Sequence, residues 1–398
     1  MKAIIRTAAA ALMLGYASVS PAQIYVYAVE DMWANELDFG GVDAEAHDIN
    51  DLNEIVGWVN DPTNSNSELP RAVFYKNGTA TWIMDQAGYY NTHAYGINNS
   101  SRVVGTYQDP YQQPATPHAF YWNSATSWFK ELSTQPYRSE AYAINDAGLI
   151  AGHVKAFVGC NGQDDLPMTW KIVSGWPGVE LDIPFCPPSL TNALSVYDVN
   201  ESGDMTGWKE NGAGSGARAF RWNGSLENVP LPAGAYETFG EGINESGAVV
   251  GSVTFYPETG IHHPRAFFWN GMSANSIVLG TLPGGNESHA KEVNDLQFVA
   301  GSSEHKFPFS VGGITGNITR LRGFIWHAHF GMKALPIPAG FSSYGTNCHA
   351  NALSSLNWFA GGYIRVVGYC TNSQNQKRPV RWNVKIIKVS LPTTPLPP

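Results

Sequence analysis

The sequence predicts an all-β protein, specifically a β-propeller of seven four-stranded blades. One phrase recurs seven times, about 44–60 residues apart: a small residue, two variable positions, Ile or Val, an Asn, and a Gly seven residues later. Turn signals follow each Asn, and no helical periodicity lies between the copies. The Asn positions are Asn50, Asn98, Asn145, Asn200, Asn244 and Asn294, with Ser354 in the seventh place. The partner glycines are Gly57, Gly105, Gly152, Gly207, Gly251, Gly301 and Gly361.

Each copy reads as four antiparallel strands. In the second copy, residues 94–97 form a short strand, Asn98 opens a tight turn, and residues 102–107 form a β-branched return strand. The third strand ends in an aromatic residue, and a fourth strand follows a further turn. The aromatic residues are Tyr75, Trp122, Trp170, Trp222, Trp269, Trp326 and Trp382. One such sheet cannot bury both faces alone, so we expect these residues to pack against the neighbouring blade. An open β-solenoid and a two-domain β-sandwich protein are the alternative folds.

The two ends of the chain differ from the repeats. Residues 1–22 read as a secretory signal peptide, because Lys2 and Arg6 flank a short apolar stretch and small residues precede a cut before Gln23. That stretch is shorter than the ~20 residues that span a bilayer, so we expect no membrane span. Residues 23–391 then form the propeller, and the Pro-rich residues 392–398 form a disordered tail. Residues 24–29 and 384–389 both read as strands, and pairing between them would lock the ring.

Charge and motif content exclude several classes of function. The formal net charge is −9, and it becomes −11 once the two cationic residues of the signal peptide are removed. Such a protein lacks the basic face that nucleic acid or anionic lipid requires. No nucleophile elbow, zinc-protease motif or phosphate loop is present, so we assign no catalytic residue, metal or cofactor. We expect a secreted or periplasmic protein.

The cysteine content favours disulfides. The four cysteines are Cys160, Cys186, Cys348 and Cys370. An even number in an exported protein indicates disulfides, whereas the Cys-x-x-Cys spacing of zinc sites is absent. Three pairings are possible. We expect Cys160–Cys186 and Cys348–Cys370, since both would close loops of similar length and join two loops on one face of the propeller.

The recurring phrase, followed by His-Ala-Phe-x-Trp, resembles the HAF family of extracellular repeat proteins. His118, Ala119 and Phe120 carry the tripeptide that gives the family its name, and most other copies have Arg in the first place. The third and seventh copies depart most, with Pro167 and Pro379 in the Ala place. The resemblance covers nearly the whole chain after the signal peptide. It implies an exported repeat protein and supplies no catalytic residues.

One candidate site is the position just before the first strand of each copy. If the first strand is innermost, these side chains surround one mouth of the central channel. Three histidines and two carboxylates could bind a divalent metal or supply an acid–base pair, or they could simply form a polar rim. The candidate ring is Glu45, His93, Glu140, His289 and His349, with Ser195 and Phe239 in the remaining copies.

A second candidate site is a set of aromatic residues in or near the variable loops. Exposed aromatic side chains stack on sugars or anchor protein interfaces, although they could also pack under their own loops. They are Tyr107, Tyr111, Trp176, Tyr256 and Trp358. The sequence therefore favours a binding module for an extracellular polysaccharide or protein, acting through the loop-rich face. The alternatives are a polymer-degrading enzyme with its site at the channel mouth and a structural surface component.

Overall fold

The structure is a computed structural model that describes residues 25–60, 69–83, 90–108, 116–132, 138–154, 166–173, 178–182, 194–211, 216–255, 263–311, 314–342, 345–358 and 361–390. These residues form 28 strands in seven four-stranded antiparallel sheets and contain no helix. The first strands of consecutive sheets contact one another around a closed ring, and the last contacts the first. The predicted seven-bladed β-propeller is confirmed. No described helix could cross a membrane.

The strands of each blade follow the chain from the channel outwards. Blade 1 contains β2 (Val42–Ile49), β3 (Ile55–Asn60), β4 (Pro70–Lys76) and β5 (Thr79–Trp82). Blade 2 contains β6 (Tyr90–Ile97), β7 (Arg102–Gln108), β8 (Pro117–Asn123) and β9 (Trp128–Glu131). Blade 3 contains β10 (Ser139–Ile144), β11 (Leu149–Val154), β12 (Leu166–Val173) and β13 (Gly178–Asp182). Blade 4 contains β14 (Leu194–Val199), β15 (Met205–Glu210), β16 (Ala217–Trp222) and β17 (Leu226–Asn228). Blade 5 contains β18 (Ala235–Ile243), β19 (Val249–Phe255), β20 (Arg265–Trp269) and β21 (Ile277–Gly280). Blade 6 contains β22 (Ser288–Val293), β23 (Val299–Val311), β24 (Ile314–His327) and β25 (Gly331–Ala334).

Blade 7 closes the ring with strands from both ends of the described chain. Its order is β26 (Cys348–Leu353), β27 (Tyr363–Thr371), β28 (Lys377–Ser390) and, outermost, β1 (Tyr25–Glu36). β1 and β28 pair antiparallel from Tyr25 opposite Ser390 to Glu36 opposite Val380. The expected pairing of the first and last strands is therefore confirmed, and the first strand extends well beyond residue 29.

The hydrophobic core lies between blades. Seven buried clusters each combine residues of two neighbouring blades, including one between blade 7 and blade 1. Trp122 of blade 2 contacts Phe74 of blade 1 with ring centroids 5.5 Å apart, and Trp326 of blade 6 contacts Phe268 of blade 5 at 5.6 Å. The third-strand aromatic residues pack across the blade interfaces as expected, because one four-stranded sheet cannot cover both of its faces.

The repeated Asn links each blade to the next. The side chain of Asn50 donates from Nδ2 to the backbone carbonyl of Asn98 at 2.9 Å, and each following Asn does the same to its successor. The last of these bonds runs from Asn294 to the carbonyl of Ser354 at 3.2 Å. The Oδ1 atom of the same side chains accepts backbone N–H groups of the hairpin turn. We name this set the Asn chain: Asn50, Asn98, Asn145, Asn200, Asn244 and Asn294.

The repeated Gly allows a close approach of the first two strands. A Cβ atom at Gly57 would overlap the carbonyl oxygen of Glu45, and five of the other predicted glycines face the first strand in the same way. In blade 7 this position is Gly368, which pairs with Ala350. The prediction of Gly361 was wrong, because the turn between β26 and β27 is longer than in the other copies. Gly361 lies in that turn.

Two further expectations need correction or qualification. Cys348 and Cys370 form a disulfide, as expected, but they are directly opposite residues of neighbouring strands and do not join two loops. Cys160 and Cys186 lie outside the described residues. We also expected a variable loop between the second and third strands of the sixth copy, but there the hairpin of β23 and β24 continues up to the pair Val311 and Ile314.

We expect Asn98→Ala to lower the free energy of unfolding by about 2–4 kcal/mol, since it removes one bond between blades and two within the turn. Asn372→Ala is the matched control, because Asn372 accepts the turn N–H groups of Gln374 and Gln376 but donates to no other blade. Its loss should be about 1 kcal/mol. Urea unfolding monitored by tryptophan fluorescence measures both. Equal losses would contradict the linking role.

We expect replacement of both Cys348 and Cys370 by Ala to lower the free energy of unfolding by about 3 kcal/mol, since the disulfide closes a 22-residue separation. Urea unfolding under oxidising conditions compares this double variant with the wild type. Repeating the unfolding of the double variant with added reductant then measures separately any contribution of Cys160 and Cys186. An unchanged unfolding midpoint in the double variant would contradict this prediction and show that the backbone hydrogen bonds between β26 and β27 hold these strands without the disulfide.

Candidate functional site

The channel wall is built in tiers, and a β-bulge defines the main one. In all seven blades the pairing of the first two strands skips the residue after the small residue of the phrase. The bulge leaves this residue unpaired, and its side chain lines the channel. We name these residues the lining tier: His47, Tyr95, Tyr142, Tyr197, Glu241, Lys291 and Asn351.

The predicted ring residues lie two positions earlier, nearer the mouth on the loop-rich side, and we name them the rim tier. They lie within the first strands rather than before them, each opposite the residue after the close-approach Gly. Glu45 lines the same chamber as the lining tier. The rim tier consists of Glu45, His93, Glu140, Ser195, Phe239, His289 and His349.

The chamber enclosed by the lining tier and Glu45 has a volume of about 280 Å³ and two unlike sides, and we name it the upper chamber. Tyr95, Tyr142 and Tyr197 form a tyrosine arc on blades 2 to 4, with ring centroids 5.5 and 5.3 Å apart. The opposite side presents the hydrogen-bonding groups of Glu241, Lys291, Asn351 and His47. Lys291 Nζ lies 3.0 Å from Glu241 Oε2. One side of a ligand would therefore meet aromatic rings and the other polar groups.

The rim carboxylate Glu45 is held by two nitrogen-bearing side chains. His47 Nε2 lies 3.3 Å from Glu45 Oε2, and Lys377 Nζ donates to Glu45 Oε1. Burial opposes ionisation of Glu45, but the hydrogen bonds and charges of His47 and Lys377 outweigh it and lower the pKa of Glu45 to about 2. Lys377 also lies over the rings of Trp58 and Tyr369. Glu45 is therefore ionised at neutral pH and held in place by a lysine that also contacts the rings of Trp58 and Tyr369.

The second rim carboxylate, Glu140, is also paired locally. Arg138 Nη2 donates to Glu140 Oε1 at 2.6 Å, and the hydroxyl of Tyr142 donates to Glu140 Oε2. Burial raises the pKa of Glu140, but these bonds and the nearby His153 reverse the shift and lower it. Burial and the Glu140 charge raise the pKa of Tyr142. The Tyr142 hydroxyl is therefore a neutral donor at physiological pH.

The rim histidines are neutral. Burial and the charge of His47 lower the pKa of His93 to about 4, and burial likewise lowers the pKa of His289 and His349. His349 stacks on Tyr369 with centroids 4.7 Å apart. Among the residues that the structure describes, no group of three His, Cys, Asp or Glu could hold a metal ion. The ring offers neutral hydrogen-bonding groups at several points of the mouth.

Below the lining tier the channel narrows to a floor tier that borders a second chamber. Its members are Asp48, Gly96, Ala143, Asp198, Gly242, Glu292 and Ala352. Asp48, Ala143, Asp198 and Glu292 line both chambers, so this tier divides the channel. Burial raises the pKa of Asp48 and Asp198 to about 6, and burial with the charges of Asp198 and Asp48 raises that of Glu292.

The two predicted loop aromatics that the structure describes, Tyr107 and Trp358, do not form a common surface. Tyr107 is buried at 2% exposure within β7 and packs against His118 and Phe129, so its assignment to a binding loop was wrong. Trp358 is 41% exposed but lies in the turn between β26 and β27, at the opposite end of the channel, where Lys388 covers its ring. Tyr111, Trp176 and Tyr256 lie outside the described residues.

The sequence prediction missed the lining tier. Its residues occupy one of the two variable positions in the phrase, and the bulge that turns them into the channel leaves no mark of its own in the sequence. The available signal was that variation: three tyrosines in consecutive copies within a phrase that otherwise repeats. The second-strand aromatics Trp58, Trp208 and Tyr369, opposite rim residues, were also missed.

No protein-family model matches the sequence, and neither does any curated protein. The β-propeller domain of the Trilobed protease from Pyrococcus furiosus shares 11% identity, covering 86% of this chain and 93% of that one, with a TM-score of 0.49. Pyrococcus horikoshii acylaminoacyl peptidase shares 12% identity, covering 85% and 52%, with a TM-score of 0.44. For the polysaccharide lyase Uly1 these values are 8% identity, 84% and 75%, and 0.32. These likenesses concern the fold alone.

We expect Glu45→Gln to lower the free energy of unfolding at pH 7 by up to about 3 kcal/mol. The pKa of Glu45 lies below its ordinary 4.5, so its ionised form stabilises the fold above pH 4.5, and this stabilisation is lost as pH falls towards 2. The difference from wild type should therefore shrink across that window in urea titrations. Glu227→Gln breaks an exposed ion pair with Arg221 and should cost less than about 1 kcal/mol. A pH-independent difference would contradict this account.

Proposed function

We propose that the protein is an exported binding module that holds the terminal sugar of an extracellular polysaccharide in the upper chamber. The tyrosine arc opposite a polar side is the observation that carries this proposal. A sugar ring offers C–H groups for stacking on Tyr95, Tyr142 and Tyr197, and hydroxyls for the opposite side. A chamber of about 280 Å³ is at the small end of ligand pockets, which suits a chain end rather than the middle of a polymer.

The state of the rim argues against a catalytic acid at the channel mouth. Each rim carboxylate is already paired with its own cation, Glu45 with Lys377 and Glu140 with Arg138. A general acid needs a proton to give at neutral pH, whereas the pKa of both carboxyls is lowered. The neutral rim histidines suit hydroxyl groups. A polymer-degrading activity remains the alternative hypothesis that the binding experiment must exclude.

Export rests on the predicted signal peptide and on the Cys348–Cys370 disulfide. A buried disulfide persists in oxidising compartments, so it supports a periplasmic or extracellular location. The likeness of the recurring phrase to the HAF repeats supports the same location. Extracellular polysaccharide is then an accessible ligand.

We expect the mature protein to bind short neutral oligosaccharides, and Tyr197→Leu to weaken that binding about tenfold or more by removing one stacking ring. Isothermal titration with a panel of oligosaccharides measures the affinity, and product analysis of the same samples detects cleavage. Tyr363→Leu is the control, since Tyr363 contacts Trp33 on blade 7 away from the upper chamber. Equal weakening by both variants would contradict the site, and released product would favour the enzyme.

A further inference from the structure

The floor of the upper chamber carries three carboxyl groups that pair with no described basic side chain. In the tiers above, Glu45 is paired with Lys377 and Glu241 with Lys291. The floor carboxylates of Asp48, Asp198 and Glu292 form no ion pair with a Lys or Arg among the described residues. Their oxygens accept backbone N–H groups only. The carboxyl groups without a cationic partner among the described residues therefore lie deepest, beneath the tyrosine arc.

Ring stability explains two of these carboxylates but not the third. Asp48 and Asp198 each accept a backbone N–H of the next blade at 2.8 Å, so they help to join blades. Glu292 accepts only the N–H of its own neighbour Val293, at 3.0 Å, and reaches no other blade. The equivalent residue of the next blade is Ala352. A carboxylate at position 292 is therefore not required by the fold.

The three carboxylates also act on one another. The charges of Asp198 and Asp48 add to burial in raising the pKa of Glu292, so the groups are close enough for mutual repulsion. A cation placed on the floor would relieve that repulsion.

We propose that the sugar held in the upper chamber is an amino sugar with a free amine, whose ammonium group binds Glu292 at the floor. This inference rests on the proposed function, because it names the class of sugar for the same chamber. The ammonium would donate charge-assisted hydrogen bonds to the floor carboxylates, while the sugar ring stacks on the tyrosine arc and its hydroxyls meet the rim. An N-acetylated sugar lacks the charge and would leave the floor uncompensated.

The test compares two ligands that differ in the acetylation of their amines, and therefore in positive charge. Isothermal titration measures the β-1,4-linked glucosamine disaccharide and its N-acetylated counterpart. One charge-assisted hydrogen bond predicts about tenfold tighter binding of the glucosamine form, or more. Glu292→Gln removes the charge but keeps an oxygen for the Val293 N–H, and it should abolish the preference. Thermal unfolding monitored by circular dichroism confirms that each variant folds.

Asp295→Asn is the matched control. Asp295 lines the chamber on the other side of the floor, and its Oδ1 atom, which accepts the Glu245 N–H at 2.9 Å, has an equivalent in Asn. This variant removes one negative charge from the same channel without touching the upper chamber, so the preference should persist. Loss of preference in Asp295→Asn as large as in Glu292→Gln would reduce the effect to general charge attraction and overturn the assignment.

The remaining outcomes separate this inference from the proposed function. Equal affinity for both disaccharides would contradict the amino sugar and leave the sugar chamber standing. Binding of spermidine as tight as that of the glucosamine disaccharide would show a site for bare cations, such as a lysine-rich protein segment, and would overturn the sugar class. Failure of both disaccharides and of every neutral oligosaccharide to bind would contradict the proposed function itself.

Discussion

The rest of the structure depends on the double role of the repeated Asn side chain. Its Oδ1 atom accepts N–H groups of its own hairpin turn, while its Nδ2 atom donates to the carbonyl of the next blade. Asp lacks the donor, and the shorter Ser cannot place both groups, so the phrase requires Asn wherever a blade must hold both its turn and its neighbour. The seventh position shows the limit. Among the described residues Ser354 makes no such bond forward, although Ser355 N–H still bonds Asp51 Oδ1 at 2.9 Å across that junction, as the equivalent residues do at other junctions.

The fixed contacts of the phrase are also what make the site variable. The close approach of the repeated Gly to the first strand accompanies a bulge in every blade, and the bulged residue has neither a partner in the ladder nor a place in the core. This side chain lines the upper chamber in every blade, and in most blades the next one lines it too. One face of the repeat can therefore change from Tyr to Glu, Lys or Asn while the ring stays the same. The chamber's two unlike sides follow from that freedom.

The sequence could predict the ring but not the chamber, and the reason is physical. Turn chemistry, the Asn phrase and the third-strand aromatics are local signals, so the seven blades and their packing were predictable, as was the Cys348–Cys370 pair. A β-bulge moves a side chain to the other face of the strand without changing the residue types in the sequence. The lining tier could therefore not be predicted from the alternation of polar and apolar residues. Tyr107 ends the return strand that the sequence predicted, but its burial depends on contacts with His118 and Phe129, which the sequence does not show. Gly361 was misplaced because the fixed spacing fails in the longer turn of blade 7.

The floor tier shows how stability and recognition divide between equivalent positions. Asp48 and Asp198 join blades by accepting backbone N–H groups. A substitution of either residue would therefore change the acidity of the floor and weaken the contact between two blades. Glu292 has no such bond and projects into the same space, so its charge can change without loss of a blade contact. Tyr95, Tyr142 and Tyr197 line the wall above it in the same way. Specificity in this channel is therefore set by side chains that the ring does not need. Asp48 and Asp198, which hold the ring together, keep the floor acidic whatever residue stands at position 292, and Glu292 adds a carboxyl group that the ring does not need.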